Sequence, residues 1–313
     1  MIRSYPKSDP PWSNATWLDL CESTEEERAQ VEAATGLRVP TELEVSEIES
    51  SSRVFTENGA SYLSTPVPSS GDAHTPLSAV GFVLTQRVLI TVRFANHAVL
   101  DSAFLACEVS SGQTACEAFL RILEALVDRA ADALEHASSD LDTVSHAAFH
   151  SEKSRGKQLR QKTQSLHQAL RKLGQIGDRV SQIRETLLGI GRIAAFVQET
   201  NAALVSPVEQ ARLKAIRADI SSLNDYQGHL SGKVQFLLDA TLGFINIEQN
   251  DIVKTLTIVS VVGVPPVLVA GIYGMNFRHM PELDWPWGYP FALFLMLVTG
   301  LAPLLWFKWR GWM

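Results

Sequence analysis

The hydrophobic pattern changes along the chain, and its last part is the most distinctive. Residues 255–277 put about twenty uncharged residues in a row, and residues 289–307 form a second apolar run after a short loop. Twenty residues of α-helix rise ~30 Å, the thickness of a bilayer's hydrocarbon core. Because nothing follows the two runs that would bury them, the pattern predicts a transmembrane hairpin and disfavours the alternative of two core helices in a soluble protein.

The first third of the chain instead alternates short β-branched runs with turn residues. This pattern predicts one helix at residues 25–35 and strands at residues 17–20, 53–56, 61–67, 79–85 and 87–94. Residues 64–76 are rich in Ser, Pro and Gly and favour a loop. The prolines and polar residues before residue 14 favour a disordered tail.

From residue 116 onward, apolar residues recur at three- and four-residue spacing, which is typical of long helices. Helices are predicted at residues 116–150 and 151–199, with a break near residues 201–207. Pro207 suits the first turn of a third helix, and no proline follows before Pro265. A single helix over residues 208–274 would be ~100 Å long. Such a length needs partner helices, so the pattern predicts a homo-oligomer.

Together these patterns predict an α+β membrane protein. Its predicted parts are a disordered tail (1–14), a cytoplasmic α/β domain (15–115), long antiparallel helices (116–206), a coiled-coil-like stalk helix that continues into the first transmembrane helix (207–274), an extracytoplasmic loop (275–288), the second transmembrane helix (289–307) and a cytoplasmic tail (308–313).

Basic residues predict the orientation of the hairpin. Lys254 precedes the first run, and Lys308 and Arg310 follow the second, whereas the loop carries one base against two acids. By the positive-inside rule, both chain termini are predicted to be cytoplasmic and the loop to face outward. We expect the membrane to be the cell's inner (plasma) membrane. Trp and Tyr residues at both ends of the runs form the aromatic belts typical of a membrane interface.

Composition excludes several classes of function. The net charge is −7, and residues 1–60 hold 12 acids against 5 bases, which disfavours a nucleic-acid partner and suits cations. Cys21, Cys107 and Cys116 lack the spacing of a metal or redox motif, so we expect reduced, buried thiols. No phosphate-binding loop or nucleophile motif occurs, so neither an enzyme nor an organic cofactor is expected.

A seven-residue repeat along the third helix predicts which face meets its symmetry mates. One position of the repeat holds Asn250, Thr257, Val264 and Gly271, and the other holds Asp239, Asn246, Val253, Ser260 and Val267. We call these nine residues the polar stripe. Polar groups facing lipid would be unsatisfied, so the stripe is predicted to line a water-filled pore. The alternative is that its hydroxyls bond back to carbonyls of their own helix.

The end of the first run carries a recognisable motif. Tyr273-Gly274-Met275-Asn276-Phe277, followed by Met-Pro-Glu-Leu at residues 280–283 and Trp-Gly-Tyr-Pro at residues 287–290, resembles the signature of the CorA family of magnesium channels. The resemblance extends to Trp-Leu-Asp-Leu at residues 17–20, Thr-Glu-Glu-Glu at residues 24–27 and Leu-Ile-Thr-Val-Arg at residues 89–93.

The resemblance implies a function for this chain. It implies a passive channel for Mg²⁺, with Co²⁺ and Ni²⁺ as further ions, driven by the membrane potential and closed when cytosolic Mg²⁺ occupies acidic sites between subunits. It also implies a homopentamer with a selectivity filter at Gly274, Met275 and Asn276, in which Asn276 binds the hydrated metal ion. The outer-loop carboxylate Glu282 would raise the local cation concentration.

Two features inside the predicted pore bear on gating. The family commonly has a threonine where this chain has Val267, so Val264 and Val267 together predict an apolar constriction that gates by dewetting. Pro265 and Pro266 remove two backbone donors and predict a bend, which is either a gating hinge or a static kink.

At the cytoplasmic end, Asp239 would repeat as a ring of carboxylates in a symmetric assembly. Like charges that close together cannot all stay ionised and unpaired, so the ring is predicted to bind a cation. The alternative is a structural salt bridge to Lys233 or to another subunit.

Two other functions compete with the magnesium channel. One is a zinc transporter resembling the ZntB branch of the same superfamily, for which His146 and His150 at i, i+4 are candidate ligands; Met275 favours magnesium. The other is a membrane-anchored scaffold, which gives no reason for an ordered polar stripe.

Overall fold

The computed structural model describes residues 1–8, 10, 12, 14–69, 77–109, 113–150, 159–200, 205–275 and 285–312. Contacts divide the chain into two compact units. Unit 1 comprises Met1–Gly156 and His167–Leu238, and unit 2 comprises Lys157–Leu166 and Asp239–Met313.

Unit 1 contains a six-stranded mixed sheet with the order β1-β2-β6-β5-β4-β3. The strands are β1 (Ile2–Tyr5), β2 (Trp17–Cys21), β3 (Val54–Glu57), β4 (Ala60–Pro68), β5 (Leu77–Leu84) and β6 (Leu89–Arg93). The pair β2–β6 is parallel and the other pairs are antiparallel. All five strands that the sequence predicts are confirmed, with small shifts at their ends.

The prediction of a disordered N-terminal tail is wrong for β1. Residues 2–5 pair with β2 from Ile2 opposite Leu20 to Tyr5 opposite Trp17. A four-residue segment gives almost no periodic signal by itself, and its order comes from backbone pairing with β2 and from an ion pair between Arg3 and Asp19. β2 and Asp19 both lie outside the four-residue segment, so the hydrophobic pattern within residues 2–5 could not reveal this pairing.

The predicted loop at residues 64–76 is wrong over its first part, because β4 continues to Pro68 and pairs with β5 as far as Leu77. On its other side β4 pairs with β3 only as far as Leu63. Among the described residues, no strand neighbours that side beyond Leu63, so a proline removes no ladder hydrogen bond there. Residues 70–76 of the predicted loop lie outside the described residues.

The helices of unit 1 follow the predicted pattern closely. They are α1 (Glu25–Thr35), α2 (Glu42–Val45), α3 (Ser50–Arg53), α4 (Ala98–Val109), α5 (Ala115–His150) and α6 (Leu159–Thr200), the last of which continues into unit 2 at its start. The predicted helix at residues 25–35 is confirmed. Thr24 and Glu27 form a capping box at its start, and Gly36 ends it with φ of 70°. Helices α2, α3 and α4 are too short or too weakly periodic for the pattern to reveal.

Two further helices follow, α7 (Pro207–Tyr273) and α8 (Gly288–Trp309). The prediction of one unbroken third helix that starts at Pro207 is confirmed, and the helix continues through Pro265 and Pro266. The most apolar 18-residue windows of α7 and α8 have mean hydropathies of 2.1 and 2.0, and only 0% and 11% of those windows are buried within the chain. Core helices of a soluble protein would be mostly buried, so these windows fit a lipid environment.

The sheet separates two hydrophobic clusters because successive residues of a strand point to opposite faces. On β4, Leu63 and Val67 belong to the cluster shared with helices α4 to α7. Tyr62 belongs to the other cluster, which is shared with Val31 of α1.

Cys107 and Cys116 are buried and Cys21 is half-buried, and all three are free thiols, as predicted. Burial beside Glu209 raises the pKa of Cys116 to about 12.

Gly189 allows α6 to lie against β4. A Cβ atom at Gly189 would lie 2.1 Å from Thr65 Oγ1, 3.0 Å from Thr65 Cβ and 3.3 Å from Pro66 Cδ. Rotating the Thr65 side chain cannot relieve the contact with its Cβ atom, so the helix or the strand would have to move. Overpacking of this kind costs about 1–3 kcal/mol.

We therefore expect Gly189→Ala to lower the thermal unfolding midpoint of the purified protein, although alanine favours a helix over glycine by about 1 kcal/mol. Gly174→Ala in the same helix is the matched control, because a Cβ atom there meets nothing within 4 Å. The control should be as stable as the wild type or more stable. Equal midpoints for the two variants would show that α6 is not held against β4 at Gly189.

Candidate ion pathway

Helix α8 packs against one face of α7 within unit 2. A Cβ atom at Gly300 of α8 would lie 3.4 Å from Pro266 Cγ and 3.9 Å from the Val262 carbonyl oxygen of α7. The half-buried residues of α7 around this contact are Ile258, Val262, Pro265, Pro266, Val269 and Tyr273. Their spacing of three or four residues defines the face of α7 that α8 covers, which we call the packed face.

The polar stripe lies on the other side of α7. Counting ~100° per residue, the stripe between Val253 and Gly271 is centred about 170° around the helix axis from the packed face. Of its members in this segment, Thr257 is half-buried, and the others are exposed in the single chain: Val253, Ser260, Val264, Val267 and Gly271. Nearer the N-terminal end of the stripe, Asn246 and Asn250 are exposed too. The face that α8 leaves open is therefore the one that carries the polar groups.

The hydroxyls on the stripe bond back to their own helix. Thr257 Oγ1 donates to the Val253 carbonyl at 2.8 Å, and Ser260 Oγ donates to the Leu256 carbonyl at 2.9 Å. Thr255, which lies off the stripe, makes the same bond to Asp251 at 2.9 Å. The alternative interpretation, in which the hydroxyls bond to carbonyls of their own helix, is therefore what the structure shows. Because Thr255 makes the same bond, these bonds do not distinguish stripe positions from lipid-facing positions. They leave each oxygen able to act only as a hydrogen-bond acceptor.

The middle of the stripe is apolar. Val264 is 53% exposed and Val267 is 70% exposed in the single chain, with no polar stripe residue between them. At the next stripe position, a Cβ atom on Gly271 would meet nothing within 4 Å. Along the stripe, the two hydroxyl-bearing residues therefore lie nearer Val253, and Val264 and Val267 lie nearer Gly271.

The outer end of α7 closes in a tight turn. The Gly274 N–H donates to the Ala270 carbonyl at 2.9 Å, and the Met275 N–H donates to the Ile272 carbonyl at 3.2 Å. A Cβ atom on Gly274 would lie 3.1 Å from the Ala270 carbonyl oxygen, so glycine fits this turn better than a larger residue. Of the predicted filter, Asn276 lies outside the described residues, as does Glu282 in the outer loop.

At the start of the stripe, next to unit 1, Asp239 is exposed in the single chain. Lys233, the candidate partner that the sequence suggests, forms an ion pair with Asp142 of α5 at 2.7 Å between Nζ and Oδ1. Burial plays little part in that pair; the hydrogen bond from Lys233 lowers the pKa of Asp142.

A metal-ligand cluster does not appear in the described part of the chain, where no three His, Cys, Asp or Glu side chains come together. The His150 side chain, half of the candidate zinc pair with His146, lies outside the described residues.

The N-terminal motifs form a buried ion network. Asp19 on β2 is fully buried and lies 2.9 Å from Arg93 on β6 and 2.5 Å from Arg3 on β1. Thr91 donates a further hydrogen bond to Asp19 at 2.7 Å. Asp101 of α4 lies 2.7 Å from both arginines.

Charges within this network stabilise one another. Burial acts to lower the pKa of Arg93, but the neighbouring Asp19 outweighs burial and raises it. Burial acts to raise the pKa of Asp101, but hydrogen bonds from Arg93 and Arg3 outweigh burial and lower it. The contribution of Asp101 to stability is therefore present above the ordinary carboxyl range and is lost as the pH falls through its lowered pKa.

Comparison with known proteins agrees with this architecture. The family model described as "CorA-like Mg2+ transporter protein" matches residues 12–309, almost the whole chain. This chain belongs to the CorA family. A curated CorA relative, the magnesium transport protein CorA of Escherichia coli (strain K12), is 34% identical over 100% of this chain and 96% of its own length.

Solved structures of CorA proteins and their relatives share the fold. The complete CorA magnesium transporter from Methanocaldococcus jannaschii matches with a TM-score of 0.76 at 18% identity, covering 98% of this chain and 95% of that one. The ZntB cytoplasmic domain from Vibrio parahaemolyticus matches less well, with a TM-score of 0.55 at 13% identity over 74% of this chain and 87% of that one. The predicted α+β membrane fold is thus confirmed.

Proposed function

We propose that this CorA-family chain forms a passive Mg²⁺ channel, with the polar stripe of α7 lining a pore in a symmetric homo-oligomer. The observation that carries this proposal is the position of the stripe opposite the packed face. With α8 on one side of α7, the opposite face is the one free to meet the same face of other copies around an axis. A membrane-anchored scaffold would need no polar residues there.

The chemistry of the stripe suits a hydrated ion. Mg²⁺ gives up its water shell reluctantly, and its bound waters donate hydrogen bonds. Thr257 and Ser260, whose protons are engaged by the helix, offer acceptor oxygens to such waters. Asn276 would add a ring of carboxamide oxygens at the outer mouth, with the Gly274 carbonyl beside it. No charged residue lies between Lys254 and Tyr273 to hold the ion too tightly.

The membrane potential is sufficient as the driving force. Moving two charges through ~100 mV releases about 4.6 kcal/mol, since each charge contributes ~2.3 kcal/mol. An opposing tenfold concentration gradient costs only ~1.4 kcal/mol. Transport therefore requires neither ATP nor an organic cofactor. Co²⁺ and Ni²⁺ are expected as further ions, since they also travel as hydrated divalent cations.

Gating is assigned to the apolar part of the stripe. Val264 and Val267 from each copy would form a constriction that empties of water when it narrows. Pro265 and Pro266 lie between them and on the packed face, so a change of bend there would move both valines.

We assign closure to Mg²⁺ binding at acidic sites between subunits on the cytoplasmic side, and we expect five subunits in an inner membrane with both termini cytoplasmic. Glu282 would concentrate cations outside.

Asp239→Asn is expected to weaken divalent-cation binding at the cytoplasmic end of the pore and to change conductance while the oligomer remains intact. The expected change is severalfold in the midpoint of Mg²⁺ binding, measured by calorimetry, because one charge per subunit is removed. Asp219→Asn on the same helix is the matched control, since it makes the same substitution about 160° around the helix axis from Asp239. Loss of the oligomer on a sizing column would instead assign Asp239 to a structural salt bridge.

The test of the transported ion is a comparison of Mg²⁺ and Zn²⁺ uptake into liposomes that hold the purified protein. The proposal predicts saturable Mg²⁺ uptake that exceeds Zn²⁺ uptake at equal concentration. The fold shared with the ZntB cytoplasmic domain makes zinc the relevant competitor. Zn²⁺ uptake without Mg²⁺ uptake would identify a zinc transporter on a CorA fold.

A further inference from the structure

Unit 1 contains a pocket that has no part in the ion pathway. Its volume is about 320 Å³, and it opens on the α1 side of the sheet beside β3 and β4. The residues that bear on its chemistry are Arg38, Glu44, Glu47, Arg53, Tyr62 and Ser64.

Ser64 supplies an unused donor to this pocket. Its side chain is only 6% exposed, and its Oγ atom has no hydrogen-bond partner within the described residues. Buried hydroxyls are normally paired, because leaving one unpaired costs the desolvation of the group without a compensating bond. An unpaired hydroxyl that lines a pocket therefore indicates a partner that enters from outside the chain.

Arg53 supplies a positive charge that has no ion-pair partner within the described residues. Its Nε atom donates to the Glu47 carbonyl at 2.7 Å, which fixes the guanidinium at the pocket wall. Within the described residues, no carboxylate lies within ion-pair distance of Arg53. Burial, together with the nearby Arg192 of α6, lowers the pKa of Arg53, and the Glu185 carboxylate offsets this only in part. An anion at its terminal nitrogens would relieve this unfavourable environment.

The other charged residues of the pocket are already engaged or exposed. Arg38 forms an ion pair with Glu44, lies 3.6 Å from Glu57, and stacks over the Tyr62 ring at 5.2 Å. Glu47 is exposed, so its carboxylate is screened by water and salt. The pocket groups that remain available to bind a ligand are thus the fixed Arg53 guanidinium and the buried Ser64 hydroxyl. Both are hydrogen-bond donors.

We propose that this pocket binds the phosphate group of a small anion, with Arg53 and Ser64 as hydrogen-bond donors. A guanidinium offers a fork of two N–H donors that matches two oxygens of a phosphate, and the Ser64 hydroxyl reaches a third. A metal cation is disfavoured because the two groups left to bind a ligand, the Arg53 guanidinium and the Ser64 hydroxyl, both act as hydrogen-bond donors. The phosphate group belongs either to free inorganic phosphate or to a small phosphate ester.

The binding test uses the full-length protein in detergent, without Mg²⁺, so that phosphate cannot chelate the transported ion. Inorganic phosphate and glycerol 3-phosphate are titrated separately by calorimetry. Arg53→Gln and Ser64→Ala should each weaken binding at least about tenfold, as expected for loss of a hydrogen bond to a charged group. Tighter binding of the ester identifies a phosphorylated small molecule, and equal binding identifies free phosphate.

Two control variants make the same Arg→Gln and Ser→Ala substitutions at residues outside the pocket. Arg87→Gln alters an exposed arginine in the β5–β6 turn, and Ser61→Ala alters a buried serine of the same strand that points to the opposite face. Both should bind phosphate like the wild type. Absence of saturable binding to the wild type, or wild-type affinity in Arg53→Gln, would overturn the proposal.

Thermal unfolding provides a second measurement. Without phosphate, Ser64→Ala should unfold at the wild-type temperature or above it, because it removes an unpaired buried hydroxyl. Phosphate should raise the unfolding midpoint of the wild type and not that of the variant. A lower midpoint for Ser64→Ala without phosphate would mean that the hydroxyl is bonded within the protein, and the proposal would be wrong.

Discussion

Replacing Asn276 with alanine is expected to abolish selective Mg²⁺ uptake. Asn276 follows the tight turn at Gly274 and Met275 that ends α7. In a symmetric assembly, its carboxamide would repeat around the outer mouth and accept hydrogen bonds from the waters of the entering ion. Alanine offers no acceptor, so the hydrated ion would lose its first binding site.

The measurement is ²⁸Mg²⁺ uptake into liposomes, after a sizing column has shown that the variant assembles like the wild type. Asn224→Ala, in the part of α7 that belongs to unit 1, is the matched control and should retain wild-type uptake. Full, Mg²⁺-selective transport by a correctly assembled Asn276→Ala protein would remove Asn276 from the filter.

The second large effect is expected at Asp19. Its carboxylate is fully buried and accepts hydrogen bonds from Arg3, Thr91 and Arg93. Removing one partner of a buried ion pair leaves uncompensated charge and typically costs about 3–5 kcal/mol. Asp19→Ala should therefore lower the thermal unfolding midpoint of unit 1 strongly and should loosen β1, which Arg3 ties to β2.

An exposed ion pair supplies the control for Asp19. Arg38 and Glu44 are 41% and 42% exposed at their side chains, and such surface pairs contribute about 0–1 kcal/mol. Glu44→Gln should thus change the unfolding midpoint little. If Asp19→Ala were equally mild, the buried network would not hold the N-terminal strand to the sheet.

Periodicity was sufficient to predict the long elements. A repeat of three and four residues over dozens of positions is averaged across many turns, so α5, α7 and α8 were predicted nearly with their observed bounds, and α6 with its observed end. The predicted start of α6 at residues 151–158 lies outside the described residues. The capping box of α1 at Thr24 and Glu27 is a local signal as well. These features depend on neighbours within one or two turns, which a sequence displays directly.

Features that depend on distant partners could not be predicted. The order of β1 comes from pairing with β2, and the strand conformation of Pro68 depends on the end of β3 at the other side of β4. Asp19 and Arg93 belong to motifs that the sequence flagged, but their meeting across 74 positions depends on the parallel pairing of β2 and β6. The need for glycine at 189 follows only from the approach of α6 to Thr65.

The features of the candidate pathway also divide into those that depend on neighbours in sequence and those that depend on distant partners. The heptad repeat predicted which residues of α7 share a stripe, because they are neighbours on one helix. It did not reveal which face α8 covers, since that depends on the approach of Gly300 to Pro266 and Val262. The residues predicted for the outer mouth beyond Met275 remain predictions, because they lie outside the described residues.

Dependence of Mg²⁺ uptake on an imposed membrane potential tests the central claim most directly. Liposomes that hold the purified protein are loaded with potassium, and valinomycin sets an inside-negative, zero or inside-positive potential without ATP and without a proton gradient. A passive channel predicts uptake that rises steeply as the interior becomes more negative and that reverses direction with the potential. Uptake that ignores the potential and appears only with a proton gradient would contradict the proposed mechanism.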